Sequence, residues 1–227
     1  PAVLITGAAV RVGSGIALHL ANAGYDIALH YNNSREDAEV TADAIRKYGV
    51  TCHLLQADLT DSKVYEGLVA GAYKAFPALT ALVNNAAVFD RGSFMESDAK
   101  LYRKEFGINF EAPVFLTQAF ARLVKKGAVV NIVDATVTRQ FTSYFFYSLS
   151  KKNLLDFTKM AARELAPAVR VNAVCPGYLL PAEGWGDDYR EKLEKTLPLG
   201  KVATVEDVAI AVEMFIQTSS LTGQVLF

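Results

Sequence analysis

The chain has few cysteines and no close grouping of metal-binding residue types. Cys52 and Cys175 are the only two cysteines among its 227 residues, and they stand far apart. Disulfide-rich scaffolds and structural zinc sites need cysteine, or cysteine with histidine, at short repeated spacings. We therefore expect two reduced thiols, no metal site and a cytoplasmic location.

The sequence also lacks an excess of charge of either sign. It has 23 Lys and Arg against 24 Asp and Glu, a net charge of -1, and the two signs are interspersed. Proteins that bind nucleic acid or an anionic membrane surface carry clustered basic side chains. We expect neither partner, which leaves small molecules as the ligands to consider.

Long apolar runs are absent as well. No run reaches the roughly 18 residues that a membrane-spanning helix needs. The chain opens directly in an apolar strand at Ala2, without the pattern of a signal peptide. We expect no membrane segment. Pro1 and Phe227 stand at the edges of predicted strands, so we expect further residues to lie beyond both ends.

What the chain does contain suits one large globular domain. Hydrophobic residues make up 52% and charged residues 21%, a balance that can bury a sizeable core. No linker, repeat or low-complexity tract divides the sequence. We expect residues 1–227 to form a single domain.

Short β-rich runs alternate with longer helical stretches. Apolar strands joined by helices predict an α/β domain with a doubly wound, Rossmann-type parallel sheet of about seven strands and helices on both faces. In such sheets ligands bind beyond the carboxyl ends of the strands. Ser34 and Asp37 resemble a capping box for the helix after the second strand. The predicted strands are Ala2–Thr6, Ile27–Tyr31, Cys52–Gln56, Ala81–Val83, Ala128–Val133, Val169–Val174 and Gly223–Phe227.

A glycine-containing turn follows the first predicted strand. It runs from Thr6 to Gly13 and leads into an apolar helical pattern. Glycines allow close approach of the backbone, and amides at a helix N-terminus attract pyrophosphate. The turn lacks the strict Rossmann spacing, and a strand-to-helix turn without a ligand is the alternative interpretation. Arg11 adds a permanent positive charge within the turn.

The end of the second predicted strand has no carboxylate. The chain runs from Leu29 to Arg35 without Asp or Glu, whereas a carboxylate there would bind the ribose 2'-hydroxyl of NAD. Polar donors and arginines accommodate the 2'-phosphate of NADP. Together with Arg11, this favours NADPH. For Ser34 and Arg35, a helix cap and a solvated charge are equally good interpretations.

Three further residues indicate a reaction centre. Tyr147 and Lys151 are four residues apart, so on a helix they share one face. The ammonium is expected to lower the pKa of the phenol and make it a usable acid near neutral pH. Asp134 ends an apolar strand thirteen residues before Tyr147. The alternatives are an exposed helix pair and a strand-end cap.

Taken together, these residues resemble the short-chain dehydrogenase/reductases, and the resemblance spans nearly the whole chain. Arg11 stands where that family has the middle glycine of its phosphate turn. Asn109, Tyr147 and Lys151 match three members of the family's catalytic tetrad, and Asp134 stands at the place of the fourth, a serine. The other matching segments are Thr6–Gly13, Asp58–Leu59, Asn84–Ala87, Arg170–Asn172 and Pro176–Gly177.

Several departures from the wider family are similar to its pteridine reductase subgroup. These are the Asp134–Ala135 pair, Arg11 in the phosphate turn and the His30-Tyr31-x-x-Ser34 pattern. Phe89, four residues after Asn85, matches the aromatic that stacks on the pterin in that subgroup. Ala87 and Pro181 depart from the subgroup and the family, which often have serine and threonine there.

The resemblance implies an NADPH-dependent reductase that transfers hydride to a pterin-like C=N bond. Tyr147 would donate a proton, Lys151 would hold the nicotinamide ribose, and Asp134 would orient Tyr147 or a water. Phe89, Asp134 and Tyr147 would contact the substrate. The implied cofactor contacts are Gly7, Arg11, Val12, Gly13, His30, Tyr31, Asn32, Ser34, Asp58, Leu59, Asn85, Ala86, Lys151, Pro176 and Gly177.

The resemblance also implies a proton relay and a lid. Pro113 has no amide, so the carbonyl of Asn109 would stay free to hold a water; the alternative is that Pro113 merely starts a new helix. The segment 178–189, with Trp185, stands where the family carries its substrate lid. Relatives are commonly homotetramers, so we expect a homo-oligomer.

Two other functions stay open at this point. One is a carbonyl reductase of the same fold, including a 3-oxoacyl thioester reductase. The other is a non-catalytic NADPH-binding regulator, which the presence of Asn109, Tyr147 and Lys151 disfavours.

Overall fold

A computed structural model describes residues 1–180 and 187–227. Its strands form one seven-stranded sheet in the order β3-β2-β1-β4-β5-β6-β7, and every neighbouring pair is parallel. This confirms the predicted doubly wound α/β fold. The strands are β1 (Ala2–Ile5), β2 (Asp26–Tyr31), β3 (Cys52–Gln56), β4 (Leu79–Asn84), β5 (Gly127–Ile132), β6 (Val169–Val174) and β7 (Val225–Leu226).

Helices connect the strands and cover both faces of the sheet. The helices α4 and α5 run into one another through a π-helical segment, Gly107–Glu111. The helices are α1 (Arg11–Asn22), α2 (Arg35–Arg46), α3 (Tyr65–Ala75), α4 (Ala99–Phe106), α5 (Ala112–Leu123), α6 (Phe145–Glu164), α7 (Asp187–Glu194) and α8 (Val205–Gln217).

The strands are apolar at successive positions because both faces of the sheet are buried. In β1, Val3 and Ile5 pack into the core shared with α1, α2 and α8, whereas Leu4 packs into the core shared with α3 and α5. All three side chains are fully buried. Helices on both faces leave the carboxyl ends of the strands as the edge where a ligand can approach.

Two sequence predictions differ from the structure in detail. Ser34 is the N-cap of α2, but its side chain makes no capping hydrogen bond, so the predicted box with Asp37 is wrong. The Ser34 backbone, with ψ of 61°, lies outside the extended region from which a cap side chain reaches the first turn. The predicted seventh strand was too long, because Gly223 has a left-handed φ of +70°.

Within residues 1–180 and 187–227, no helix has both the length and the apolar character to cross a bilayer. In the same part of the chain, no group of His, Cys, Asp and Glu is arranged to hold a metal ion. Cys52 and Cys175 are both buried and unbonded to each other.

Candidate active site

The turn between β1 and α1 closes tightly against the segment that follows β4. Asn85 Nδ2 donates to the carbonyls of Thr6 and Gly7 at 2.9 and 3.0 Å. A Cβ on Gly13 would stand 2.2 Å from the Gly7 oxygen and 2.6 Å from Asn85 Nδ2. Both neighbours are held by hydrogen bonds, so Gly13 leaves no room for a side chain.

Gly13→Ala is therefore expected to destabilise the protein by about 2 kcal/mol or more, as overpacking of rigid surroundings does. Gly67→Ala is the matched control, since Gly67 lies in α3 with nothing within 4 Å of an added Cβ. Because alanine favours the helix more than glycine does, Gly67→Ala should stabilise the protein by about 0.5–1 kcal/mol. Urea unfolding of the three proteins measures both effects. Equal stability of Gly13→Ala and the parent protein would contradict the tight turn.

Arg11 lies at the start of α1 in an unusual backbone conformation. Its φ is +56°, a left-handed value that glycine adopts freely and that costs other residues about 1–2 kcal/mol. No side chain caps this helix, and its first turn has no acidic residue. The exposed guanidinium and the uncapped amides therefore suit a negatively charged ligand.

The structure places His30 behind this turn rather than facing a ligand. Its Nδ1 accepts from the Gly7 amide and its Nε2 bonds to the Ala57 carbonyl, each at 3.1 Å. The ring is 2% exposed, and burial lowers its pKa to about 4, so it is neutral. Both nitrogens hold backbone groups of the fold, and the contact of His30 with the cofactor stays a prediction.

The other predicted cofactor contacts fall into exposed and buried groups. Asn32 and Asp58 are exposed at the ends of β2 and β3, and Ser34 is half-buried. Asp58 accepts from the amide and hydroxyl of Thr60 at 2.9 and 2.8 Å, which forms a local turn. Tyr31 and Leu59 are 6% and 4% exposed, so a cofactor would contact chiefly their backbone and the edge of each side chain. Val12 is half-buried in the first turn of α1.

The hydroxyl of Thr6 organises the turn after β4. It accepts from the amides of Asn85 and Ala86, both at 3.0 Å. Across the site, the Pro176 carbonyl accepts from the Ala135 amide at 2.9 Å, and Gly177 is exposed. The predicted lid falls largely on residues 181–186, so Pro181 and Trp185 lie outside the described residues.

Asp134, Tyr147 and Lys151 come together where β5 ends. The Tyr147 hydroxyl donates to Asp134 Oδ2 at 2.6 Å, and Asp134 Oδ1 accepts from the Thr136 amide at 2.6 Å. Lys151 Nζ donates to the carbonyl of Ile132 at 2.8 Å and lies 5.9 Å from the centre of the Tyr147 ring. The sequence spacing predicted this grouping, because α6 places the phenol and the ammonium on one face.

The predicted effect of Lys151 on Tyr147 is wrong in this structure. Burial raises the pKa of Tyr147 well above its usual value, and the Asp134 carboxylate adds to the rise. Burial also lowers the pKa of Lys151, to about 8. A dry site and an adjacent carboxylate both disfavour phenolate, so Tyr147 keeps its proton and is a donor.

Asn109 is fully buried and ties the end of α4 to the loop after β4. Its Oδ1 accepts from the Val88 amide at 2.9 Å, and its Nδ2 donates to the Val88 carbonyl at 2.9 Å and to Glu105 Oε2 at 2.5 Å. Pro113 is the second residue of α5, just past the π-helical segment, and it has no amide to give to the Asn109 carbonyl. Glu105 was missed by the sequence analysis.

Phe89 lies beside the reacting phenol. Its ring meets Tyr147 edge-on, with centroids 4.6 Å apart and planes at 79°. Tyr144 stacks on Phe89 at 4.1 Å and 5°, and Phe141 stacks on Tyr144 at 5.2 Å and 12°. Phe89 is still 41% exposed. Sequence reasoning missed Tyr144 and Phe141, because both precede α6 and no sequence periodicity links them to Phe89.

The site combines a turn suited to phosphate with a buried phenol, ammonium and carboxylate at the edge of a doubly wound sheet. These features are typical of nucleotide-dependent oxidoreductases. Residues 7–227 match the family described as enoyl-(acyl carrier protein) reductase. The chain belongs to the short-chain dehydrogenase/reductase family.

Three relatives illustrate the range of similarity. The crystal structure of FolM alternative dihydrofolate reductase 1 from Brucella suis, in complex with NADP, has a TM-score of 0.94 at 34% identity and covers 99% of this chain and 92% of that one. The 3-oxoacyl-[acyl-carrier-protein] reductase FabG of Staphylococcus aureus is 28% identical over 98% of this chain and 94% of its own. L-rhamnose 1-dehydrogenase (NAD(P)(+)) of Azotobacter vinelandii is 31% identical over 91% and 86%.

Proposed function

We propose that this oxidoreductase is an NADPH-dependent reductase of pterin-like C=N substrates, with Tyr147 as the proton donor. The observation that carries the proposal is the hydrogen bond from Tyr147 to Asp134, at the position where the wider family has serine. A carboxylate suits a substrate nitrogen that must gain a proton, whereas an oxyanion gains nothing from a second acceptor. The similarity to FolM alternative dihydrofolate reductase supports the same substrate class.

The cofactor is NADPH, which supplies a hydride when bound. The glycine turn that tolerates no Cβ at Gly13, the uncapped start of α1 and the guanidinium of Arg11 fit a pyrophosphate and a 2'-phosphate. Lys151 would hold the ribose hydroxyls of the bound cofactor near Tyr147. NADP in the similar Brucella suis structure supports this choice.

The chain's own residues set the proton transfer. Tyr147 is neutral and buried, and Asp134 fixes the direction of its hydroxyl. Phe89 supports one side of the substrate, next to the phenol. Asn109 holds the loop that carries Phe89 through its two bonds to Val88. These roles require a flat substrate that reaches Tyr147 across the Phe89 ring.

Arg11→Ala is expected to lower kcat/KM for NADPH by about ten- to a hundredfold, because a charge-assisted bond to phosphate is worth roughly 1.5–3 kcal/mol. The value for NADH should change little. Arg11→Gly is the control for backbone strain: it also removes the guanidinium but relaxes the positive φ. Both variants should lose NADPH preference, and the glycine variant should be more stable. Equal losses with NADPH and NADH would remove the 2'-phosphate assignment.

The proposed function is tested with a panel of substrates. Purified protein with NADPH should reduce dihydrobiopterin or dihydrofolate faster than quinones or 3-oxoacyl thioesters, measured as NADPH consumption. The alternative is a carbonyl or 3-oxoacyl thioester reductase, which the likeness to FabG favours. Brisk thioester reduction with no activity on either pteridine would replace the proposal with that alternative. NADPH binding without turnover of any panel member would favour the non-catalytic regulator.

A further inference from the structure

One buried carboxylate has no part in the proposed proton transfer and lies beside the loop that follows β4. Glu105, near the end of α4, is 0% exposed. Its Oε1 accepts from the amide of Asp90 at 2.8 Å, and its Oε2 accepts from Asn109 Nδ2 at 2.5 Å. One side chain therefore joins the loop after β4 to the π-helical segment.

The two bonds flank the residue that lies beside Tyr147. The Asn109 side chain bonds to both the backbone amide and the carbonyl of Val88, and the Glu105 carboxylate accepts from the amide of Asp90. Phe89 is the residue between them, so its backbone is held on both sides while its ring projects toward Tyr147.

We propose that Glu105 is a positioning residue that clamps the segment 88–90 to Asn109 and so sets the place of the Phe89 ring in the active site. The role rests on the proposed function insofar as Phe89 is the platform for a flat substrate. The clamp needs two acceptors, because both of its partners are N–H donors. A carboxylate supplies them, whereas a glutamine amide has one acceptor oxygen and turns its NH2 group toward a donor.

Several charged groups surround the clamp. Asp90 and Lys104 form a partly exposed ion pair, with Lys104 Nζ 2.6 Å from the buried Asp90 Oδ2. Tyr147 and Lys151 face Glu105 from α6, and its negative charge helps to keep both protonated. Burial raises the pKa of Glu105 to about 7, and Asp90 acts in the same direction, while the two hydrogen bonds and Lys104 oppose the rise.

Glu105→Gln tests the clamp, and Lys100→Gln is its control. Lys100 is an exposed residue of the same helix, α4, and does not bond to Asp90 or Glu105, so every kinetic value should change less than twofold. Glu105→Gln should raise the KM for dihydrobiopterin about tenfold, since one donor of the clamp is left without a partner. Its kcat should fall less than about threefold and its NADPH affinity should stay within about twofold.

Amide hydrogen exchange of residues 88–91 gives a readout that needs no substrate. Glu105→Gln should lose protection there and Lys100→Gln should keep it. If dihydrobiopterin is not reduced but protection is lost, the proposed function fails and the clamp stands. An unchanged KM with unchanged protection overturns the clamp, as does an equal effect of Lys100→Gln.

The parent protein supplies a second test if Glu105→Gln does not fold. Exchange protection of residues 88–91, corrected for intrinsic exchange, should fall as the pH is lowered from 8 to 5, because burial raises the pKa of Glu105 to about 7 and its protonated form has one acceptor fewer. Protection that stays constant across this whole range overturns the proposal.

Discussion

Replacing Tyr147 with phenylalanine is expected to lower kcat by about 10²–10⁴-fold, the usual contribution of a positioned general acid. NADPH affinity should stay within about twofold, because the phenol acts on the substrate and the ring keeps its edge contact with Phe89. The experiment compares NADPH consumption with NADPH affinity from a fluorescence titration.

Tyr144→Phe is the matched control for this variant. It makes the same chemical change three residues earlier and keeps the ring that stacks on Phe89 at 4.1 Å. Its kcat should stay within about threefold. If Tyr147→Phe keeps most of its kcat, the phenol is not the proton donor.

Lys151→Ala should behave differently from Tyr147→Phe, since the ammonium serves the cofactor and the reaction centre together. Lys151 is buried and bonds to the Ile132 carbonyl. Removing it leaves that carbonyl without its donor and leaves Tyr147 without a nearby positive charge. Both NADPH affinity and kcat should fall, so the pair of variants separates binding from chemistry.

Replacing Asp134 with serine is expected to reduce dihydropteridine reduction by about a hundredfold, within the range of acid–base contributions. Reduction of a simple activated ketone should be spared or improved, because serine restores a hydroxyl that can donate to an oxyanion. Asp134→Asn is the control: it keeps the size and can still accept from the Thr136 amide, but has no charge. The measurement is kcat/KM for the dihydropteridine divided by kcat/KM for the ketone, compared between the variants and the parent protein.

The pH dependence of kcat gives a second, independent test of Asp134→Ser. Asp134 raises the pKa of Tyr147 through its charge and its hydrogen bond, so removing it must lower that pKa. Tyr147 will then lose its proton at lower pH, and the alkaline limb of kcat should move to lower pH. A limb that moves upward, or equal losses for pteridine and ketone, would refute the assigned role of Asp134.

Phe89→Ala is expected to act mainly on pteridine KM. The ring lies beside Tyr147 and is 41% exposed, so a flat substrate can reach it. Losing a stacking ring costs on the order of 1 kcal/mol beyond its area term, mostly in ground-state binding. A kcat that falls more than KM rises would instead indicate that Phe89 orients Tyr147.

The sequence determined the sheet and the reaction centre because both follow from local patterns. Apolar runs such as Ala2–Ile5, separated by helical stretches, predict a parallel sheet whose strands all end at one edge. The four-residue spacing of Tyr147 and Lys151 puts them on one face of α6, and Asp134 follows a strand that ends at the same edge.

Tertiary structure alone decided what surrounds those groups. His30 accepts a hydrogen bond from the Gly7 amide, and Glu105 accepts one from the Asp90 amide. Tyr144 stacks on Phe89. These pairs are 23, 15 and 55 residues apart, so no local periodicity joins them. The pKa of Tyr147 was decided in the same way. The four-residue spacing places Lys151 nearby, but burial and the Asp134 carboxylate raise the pKa, and the loss of solvation depends on every element that packs around the phenol.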